Sequence, residues 1–241
     1  MILGLSNGQS LVFRHTYKVS YPEGKKTITP AIEYPYGETP IVLDEQGRPL
    51  EHVALNATDS SLVVAGSAGS YLNVLSLSRE ENMMTGEVTS EQKRIELPQM
   101  TEPVKAIFID PRQQWLYVIN GRALADVFSL RDKSLNGRYK LLEDGNAEIT
   151  ASTQLVGGIS LIVGNSKGGL AQWFMARDPD GEQRLKQIRT FQMGTAPIVE
   201  ITAEERRKGF TALDASGKFG VFHLSLIHIS EPTKLRRISY A

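Results

Sequence analysis

The chain has 241 residues and a mass of 26.7 kDa, enough for one large domain or two modest ones with a true hydrophobic core. Hydrophobic residues make up 41% and charged residues 22%, which excludes wholesale disorder. Lysine plus arginine and aspartate plus glutamate number 27 each, so net charge gives no reason to coat nucleic acid or an anionic membrane, and the lack of cysteine excludes disulfide scaffolds, thiolate metal sites and thiol catalysis.

In chain order, the first element is Met1-Ile-Leu-Gly-Leu-Ser-Asn7-Gly8-Gln-Ser-Leu-Val-Phe13, two apolar runs about an Asn-Gly pair. That pair predicts a two-residue type I′ hairpin, whose central positions both need positive φ. Residues 22–50 carry prolines at 22, 30, 35, 40 and 49, a density that argues against a central strand. Residues 17–21, 27–29 and 31–34 are expected as edge strands with a long connection.

From residue 53 a unit recurs: an apolar strand, a turn, a second apolar strand, a small-residue turn and a third strand. Its copies occupy 53–59, 62–66 and 71–77; then 104–110, 115–120 and 125–130; then 149–153, 159–164 and 170–175; then 198–202, 209–214 and 219–223. The first strands begin at Val53, Val104, Ile149 and Ile198, spacings of 51, 45 and 49 residues. Periods of roughly 40–50 residues with about four strands each are those of propeller blades. Residues 91–97, ahead of Pro98, and residues 183–191 read as solvent-facing fourth strands. Residues 1–13 match only the second and third strands, so the count is one partial unit and four fuller ones. The turn chemistry agrees: Asn120-Gly121 repeats the type I′ signal, Asp110-Pro111 ends a strand, and Asp214-Ala-Ser-Gly217 supplies a longer turn. Glu204-Glu-Arg-Arg-Lys208 is the best helix candidate, but Gly209 follows and no apolar stripe accompanies it. The fold class is all-β, a WD40-like β-propeller, incomplete.

No site emerges from the motifs. Gly4-Leu-Ser6-Asn-Gly8 fits G-x-S-x-G, but a nucleophile elbow needs strand, sharp turn and helix, and here a strand follows. Gly164-Asn-Ser-Lys167-Gly168-Gly169 has its lysine before the glycines and reads as a hairpin turn, not a phosphate loop. Asp178-Pro-Asp180-Gly181-Glu182 resembles half of a calcium loop, yet its twelfth position is Arg189, so it reads as an exposed turn. Arg206-Arg207-Lys208 is cancelled by the adjoining Glu204-Glu205, and Asn56-Ala-Thr58 is a glycosylation sequon of a kind that chance supplies. His15, His52 and His223 lie at no chelating spacing; His15 and His223 are expected to close third strands at a blade rim. Trp115 and Trp173 are expected in packing. Accordingly no catalytic, cofactor-binding or metal-ligating residue is assigned, no cofactor is expected, and the chain is not expected to be an enzyme. No window approaches 18 consecutive apolar residues, so no membrane span is expected within it.

Two resemblances add to this. Leu224-Ser-Leu-Ile-His-Ile-Ser-Glu-Pro-Thr233 and Ile238-Ser-Tyr-Ala241 resemble translated sequencing adapter, which divides the chain into a propeller-like domain, 1–223, and a non-native tail, 224–241, and implies a native frame continuing past His223. Separately, residues 5–13, Tyr17-Lys-Val-Ser-Tyr-Pro22, Lys26-Thr-Ile-Thr-Pro30, 80–88, 95–104, 110–115, 135–141, 171–181 and 212–217 resemble the soluble insertion of a long-form bacterial phosphate ABC-transporter permease of the PstC type. The resemblance implies an extracytoplasmic, periplasmic module of an inner-membrane protein. Its partners would be the second permease, the ATPase and the phosphate-binding protein, reached through the full-length protein, with no nucleic acid. The permease helices themselves are absent, so no transport residue can be assigned. The alternatives are a stand-alone propeller scaffold for protein interaction and, as a check, a lactonase-like propeller enzyme with acids converging on a metal. Four and a half blades leave strand edges unpaired, so the fragment is expected to be poorly soluble or oligomeric.

Overall fold

The computed structural model describes residues 1–58, 61–81, 83–84, 88–143, 145–158 and 160–224. Expectations for Asp59, Ile159 and residues 225–241 lie outside these, including nearly all of the proposed tail. Among the described residues there is no α-helix; one 3-10 turn, Pro22–Gly24, is the exception to a succession of strands.

The chain divides into two compact units, residues 1–107 and 108–241. In the first, β1 (Ile2–Gly4), β2 (Gln9–Val12) and β5 (Ile41–Val42) make a three-stranded antiparallel sheet. Next in the chain come β6 (His52–Ala57), β7 (Ser61–Ala68), β8 (Tyr71–Glu81) and β9 (Val88–Arg94), a four-stranded meander. Inserted in the chain between β2 and β5, β3 (Arg14–Ser20) and β4 (Thr27–Glu33) pair in full antiparallel register, from Arg14 with Glu33 to Ser20 with Thr27. The expected edge strands are therefore present, but they run over 14–20 and 27–33 and pair directly with each other across a short link rather than being joined by a long connection. Pro30 fits because both strands are edges, where a missing N–H costs no interior ladder bond.

The division falls inside β10 (Val104–Ile109), which heads a four-stranded sheet with β11 (Trp115–Asn120), β12 (Leu124–Ser129) and β13 (Ser134–Lys140). There follow β14 (Ile149–Gln154), β15 (Ser160–Asn165), β16 (Gly169–Arg177) and β17 (Gln183–Gln192), then β18 (Ile198–Ala203), β19 (Gly209–Asp214) and β20 (Phe219–His223). Central strands are covered on both faces and read as continuous apolar runs: five of the six residues of β11 and of β12 are buried. The outer strands β13 and β17 alternate with water and carry cationic side chains, Arg138 and Lys140 on the one and Arg184, Lys186 and Arg189 on the other.

Each unit has its own core. In the first, Val12, Ile41, Leu43, Leu62, Val64, Leu75 and Leu77 pack together. A buried carboxylate, Asp44, pins the loop that follows it: it accepts hydrogen bonds from the Arg48 guanidinium at 2.8 Å, the Gln46 amide at 2.8 Å and the Asn73 side chain at 3.3 Å. Burial pushes its pKa up, but the bonds from Arg48 and the Gln46 amide outweigh it and hold the carboxyl below the usual range. In the second unit, Ile162, Leu170, Met193, Ile198, Phe210 and Phe222 form the centre. Phe210 stacks on Phe222 at 4.6 Å, and Phe191 meets both edge-on. Gly164 lets the next sheet approach: an added Cβ would sit 2.7 Å from Ile198.

The turns differ from the type I′ expectation. At Asn7-Gly8 only Gly8 has positive φ, 78°, and the Leu5 amide donates to the Gln9 carbonyl at 2.8 Å, a three-residue loop. At Asn120-Gly121 the left-handed residue is Ala123, φ 58°, while the Asn120 side-chain oxygen accepts from the Arg122 and Leu124 amides. The same pattern, an Asp or Asn side chain collecting amides and a left-handed residue three positions on, recurs at Asp110, Asn165 and Asp214. The longer turn expected only at Asp214 is thus shared by the turns at Asp110, Asn120 and Asn165, but not by that at Asn7-Gly8.

Candidate interaction surface

The geometry places none of the weighed motifs in a reaction centre. Ser6 lies in the exposed turn between β1 and β2, and residues 165–169 form the hairpin between β15 and β16. The carboxylate of Asp178 is taken by Lys186 and by Arg184 at 2.7 Å, and Asp180 by Arg184 at 2.9 Å, so these acids are already matched by cations. The hydrogen bond from Lys186, with that from Arg184, holds Asp178 below the usual carboxylate range. Asn56 lies within β6, paired with Val63 of β7. His52 is half-buried in β6, and desolvation lowers its pKa. His223 ends β20, 3.6 Å from Glu204. His15 does not close a third strand of the first sheet; it belongs to the ribbon, its ring edge-on to Phe13 at 5.6 Å. Among the described residues no three His, Cys, Asp or Glu side chains gather as metal ligands. Trp173 is buried in β16, its indole N–H without a hydrogen-bond partner, beside a crevice lined by Phe108, Tyr117 and Leu185 that is too narrow for a water molecule. Also among the described residues, no helix is long and apolar enough to cross a membrane.

What stands out is the ribbon. Side chains alternate faces along a strand, and directly paired residues share one. One face therefore carries Arg14, Thr16, Lys18 and Ser20 with Glu33, Ala31, Thr29 and Thr27. Arg14 pairs with Glu33 at 2.9 Å, and that hydrogen bond first, with support from Thr16 and Lys18, draws the Glu33 pKa down. The other face carries His15, Tyr17 and Val19 with Ile32, Pro30 and Ile28. It is apolar and open to water: Tyr17 is 68% exposed, Ile28 57%, Ile32 52% and Val19 41%. Ile32 also lines an open hollow of about 520 Å³ at the ribbon's root, with Tyr34, Pro35, Gly37 and Glu38. Covering the exposed half of four such side chains would contribute roughly 1 kcal/mol each. A contiguous apolar patch on a soluble protein marks a binding surface more often than a lone exposed leucine does. Sequence reasoning missed this patch because prolines masked its period-two alternation of isoleucine and threonine from Thr27 to Ile32.

Taken with the meandering four-stranded sheets, the molecule is an all-β assembly of propeller blades. It is similar to the β-propeller domain of Cps50 (Swd1) from Myceliophteria thermophila, with a TM-score of 0.56 over 86% of this chain at 14% identity. It is also similar to Sqt1 from Chaetomium thermophilum, with a TM-score of 0.53 over 90% of this chain at 11% identity. The fold is thus a WD40-like β-propeller, as the repeat predicts. The chain spans 63% and 51% of the lengths of those two structures. No family model matches the chain, and no curated protein matches it.

Proposed function

We propose that this protein is a non-catalytic interaction scaffold, in which propeller blades hold the β3–β4 ribbon out as the docking element for a partner protein. The observation that carries this reading is the apolar face of the ribbon, where Tyr17, Val19, Ile28 and Ile32 lie side by side and open to water. The test is a photo-crosslinking residue placed singly at Ile28, on the apolar face, and at Thr29, on the polar one, in the producing cell. Discrete crosslinked species at Ile28 and not at Thr29 support the reading; equal or absent crosslinking at both overturns it.

A narrower reading has its own support. Two of the segments that resemble the PstC-type insertion, Tyr17-Lys-Val-Ser-Tyr-Pro22 and Lys26-Thr-Ile-Thr-Pro30, overlap the two arms of the ribbon, at 17–20 and 27–30. On this reading the scaffold is a periplasmic module of an inner-membrane phosphate permease, and its partners are other transporter subunits, the phosphate-binding protein among them. Flanking gene sequence from an independent clone tests it: several downstream spans of about 20 apolar residues support a permease, and a stop codon soon after His223 contradicts it.

A further inference from the structure

The ribbon has edges as well as faces. Among the described residues β3 and β4 pair only with each other, so each has one bare edge of backbone donors and acceptors. A lone two-stranded ribbon is marginal in water, and three or more strands are the usual minimum for stability. The two edges are not equivalent. Pro30 removes a donor from the middle of β4, whereas β3 holds no proline from Arg14 to Ser20. β3 therefore offers the edge with its full set of donors to a further strand.

We propose that the occupant of this edge is β3 of a second copy of the chain, antiparallel about a two-fold axis through Tyr17. This rests on the reading of the ribbon as the docking element: the edge takes the second copy, and the doubled apolar face takes the partner protein.

The side chains support the arrangement. The dyad sets Tyr17 opposite Tyr17, His15 opposite Val19, Thr16 opposite Lys18 and Arg14 opposite Ser20. No pair opposes like charges, which would destabilise a directly facing pair. Because residues in register share a face, the apolar stripes merge across four strands, with Ile28, Val19, His15 and Ile32 in one row and Pro30, Tyr17, Tyr17 and Pro30 in the next. The arrangement is isologous, so it closes as a dimer and leaves outward only the β4 edges blunted by Pro30. A seven-residue edge is about 23 Å long, and pairing it covers far less than the roughly 1,200 Å² of a stable interface. The dimer is accordingly weak, with a dissociation constant on the order of 10–1,000 µM.

The chain contains no cysteine, so a single introduced thiol reports one contact. In the full chain, Tyr17→Cys places two thiols on facing residues within disulfide reach and is expected to give mostly covalent dimer under mild oxidation. His15→Cys and Val19→Cys are each expected to stay largely monomeric alone and to form a mixed dimer when combined. Thr29→Cys, on β4, is the control and is expected to remain monomeric. Sedimentation of the unsubstituted chain between about 10 and about 500 µM should show a monomer–dimer equilibrium, which guards against a Tyr17 substitution that itself disturbs the ribbon. A chain monomeric across that range, a monomeric Tyr17→Cys variant, or a Thr29→Cys variant that crosslinks as readily would overturn the proposal. If it falls while Ile28 still captures another protein, the docking reading survives; if Ile28 captures nothing either, both fall.

Discussion

Strand β20 offers a sharp test of the packing, because it carries two phenylalanines three residues apart on opposite faces. Phe222 is 3% exposed, stacked on Phe210 and edge-on to Phe191 at 5.1 Å, whereas Phe219 is 58% exposed. Phe222→Ala removes a buried ring and its aromatic contacts and leaves a cavity, which costs about 4 kcal/mol. At roughly 2–4 °C per kcal/mol for a domain of this size, Tm should fall by roughly 8–16 °C. Phe219→Ala should cost under about 0.5 kcal/mol, a shift of about 1–2 °C. Urea and thermal denaturation of both variants, followed by tryptophan fluorescence, would decide it. Equal losses for the two, or a loss below about 1 kcal/mol for Phe222→Ala, would refute the assigned facing of β20 and with it the core of the second unit.

Other expectations follow from single contacts. Gly164→Ala drives a methyl group to 2.7 Å from Ile198 Cγ2 and should cost about 1–3 kcal/mol in urea denaturation, a cost that Ile198→Val should leave in place because valine keeps the Cγ2 and Cβ atoms that clash. The Asp126 carboxylate is 1% exposed and receives both Nε and Nη2 of Arg138, so Arg138→Ala strands a buried acceptor and should cost about 2 kcal/mol; removing both partners should cost less than the sum of the single losses. His52 is held neutral by desolvation, with Glu51 opposing and Lys105 assisting the lowering. Its folded pKa lies below its unfolded value, so stability is full above the ordinary histidine pKa and falls as pH drops through that value towards the folded one. His52→Gln should flatten the stability profile between about pH 7 and pH 5, and an unchanged slope would contradict the assignment.

The blades were readable because buried strands leave continuous apolar runs: Val104–Ile109, Trp115–Asn120 and Ile198–Ala203 all begin at residues that the repeat marks. Outer strands carry a weaker imprint. β17 was legible between its flanking glycines, but β13, Ser-Leu-Asn-Gly-Arg-Tyr-Lys, was not, since an outward strand needs little apolar alternation and Gly137 interrupts what there is. The turn type was misjudged because Asn-Gly supports two loop geometries. The deciding feature is longer in range, an Asp or Asn whose oxygen collects amides two and four residues on. The arms of the ribbon were legible as edge strands, but their pairing with each other was not, because the proline density favours a long connection between them. The candidate surface was thus illegible where the fold was plain: an interaction face is defined by what leaves it uncovered, which depends on pairing rather than on local residue type.

The most direct measurement of the central claim is the affinity of the partner captured at Ile28 for the unsubstituted chain and for a Tyr17→Ser/Ile28→Ser double variant, by titration calorimetry. Both side chains are more than half exposed, so Tm should be nearly unchanged while affinity falls at least about tenfold. Equal affinity in a folded double variant would contradict the assignment of the ribbon as the docking element.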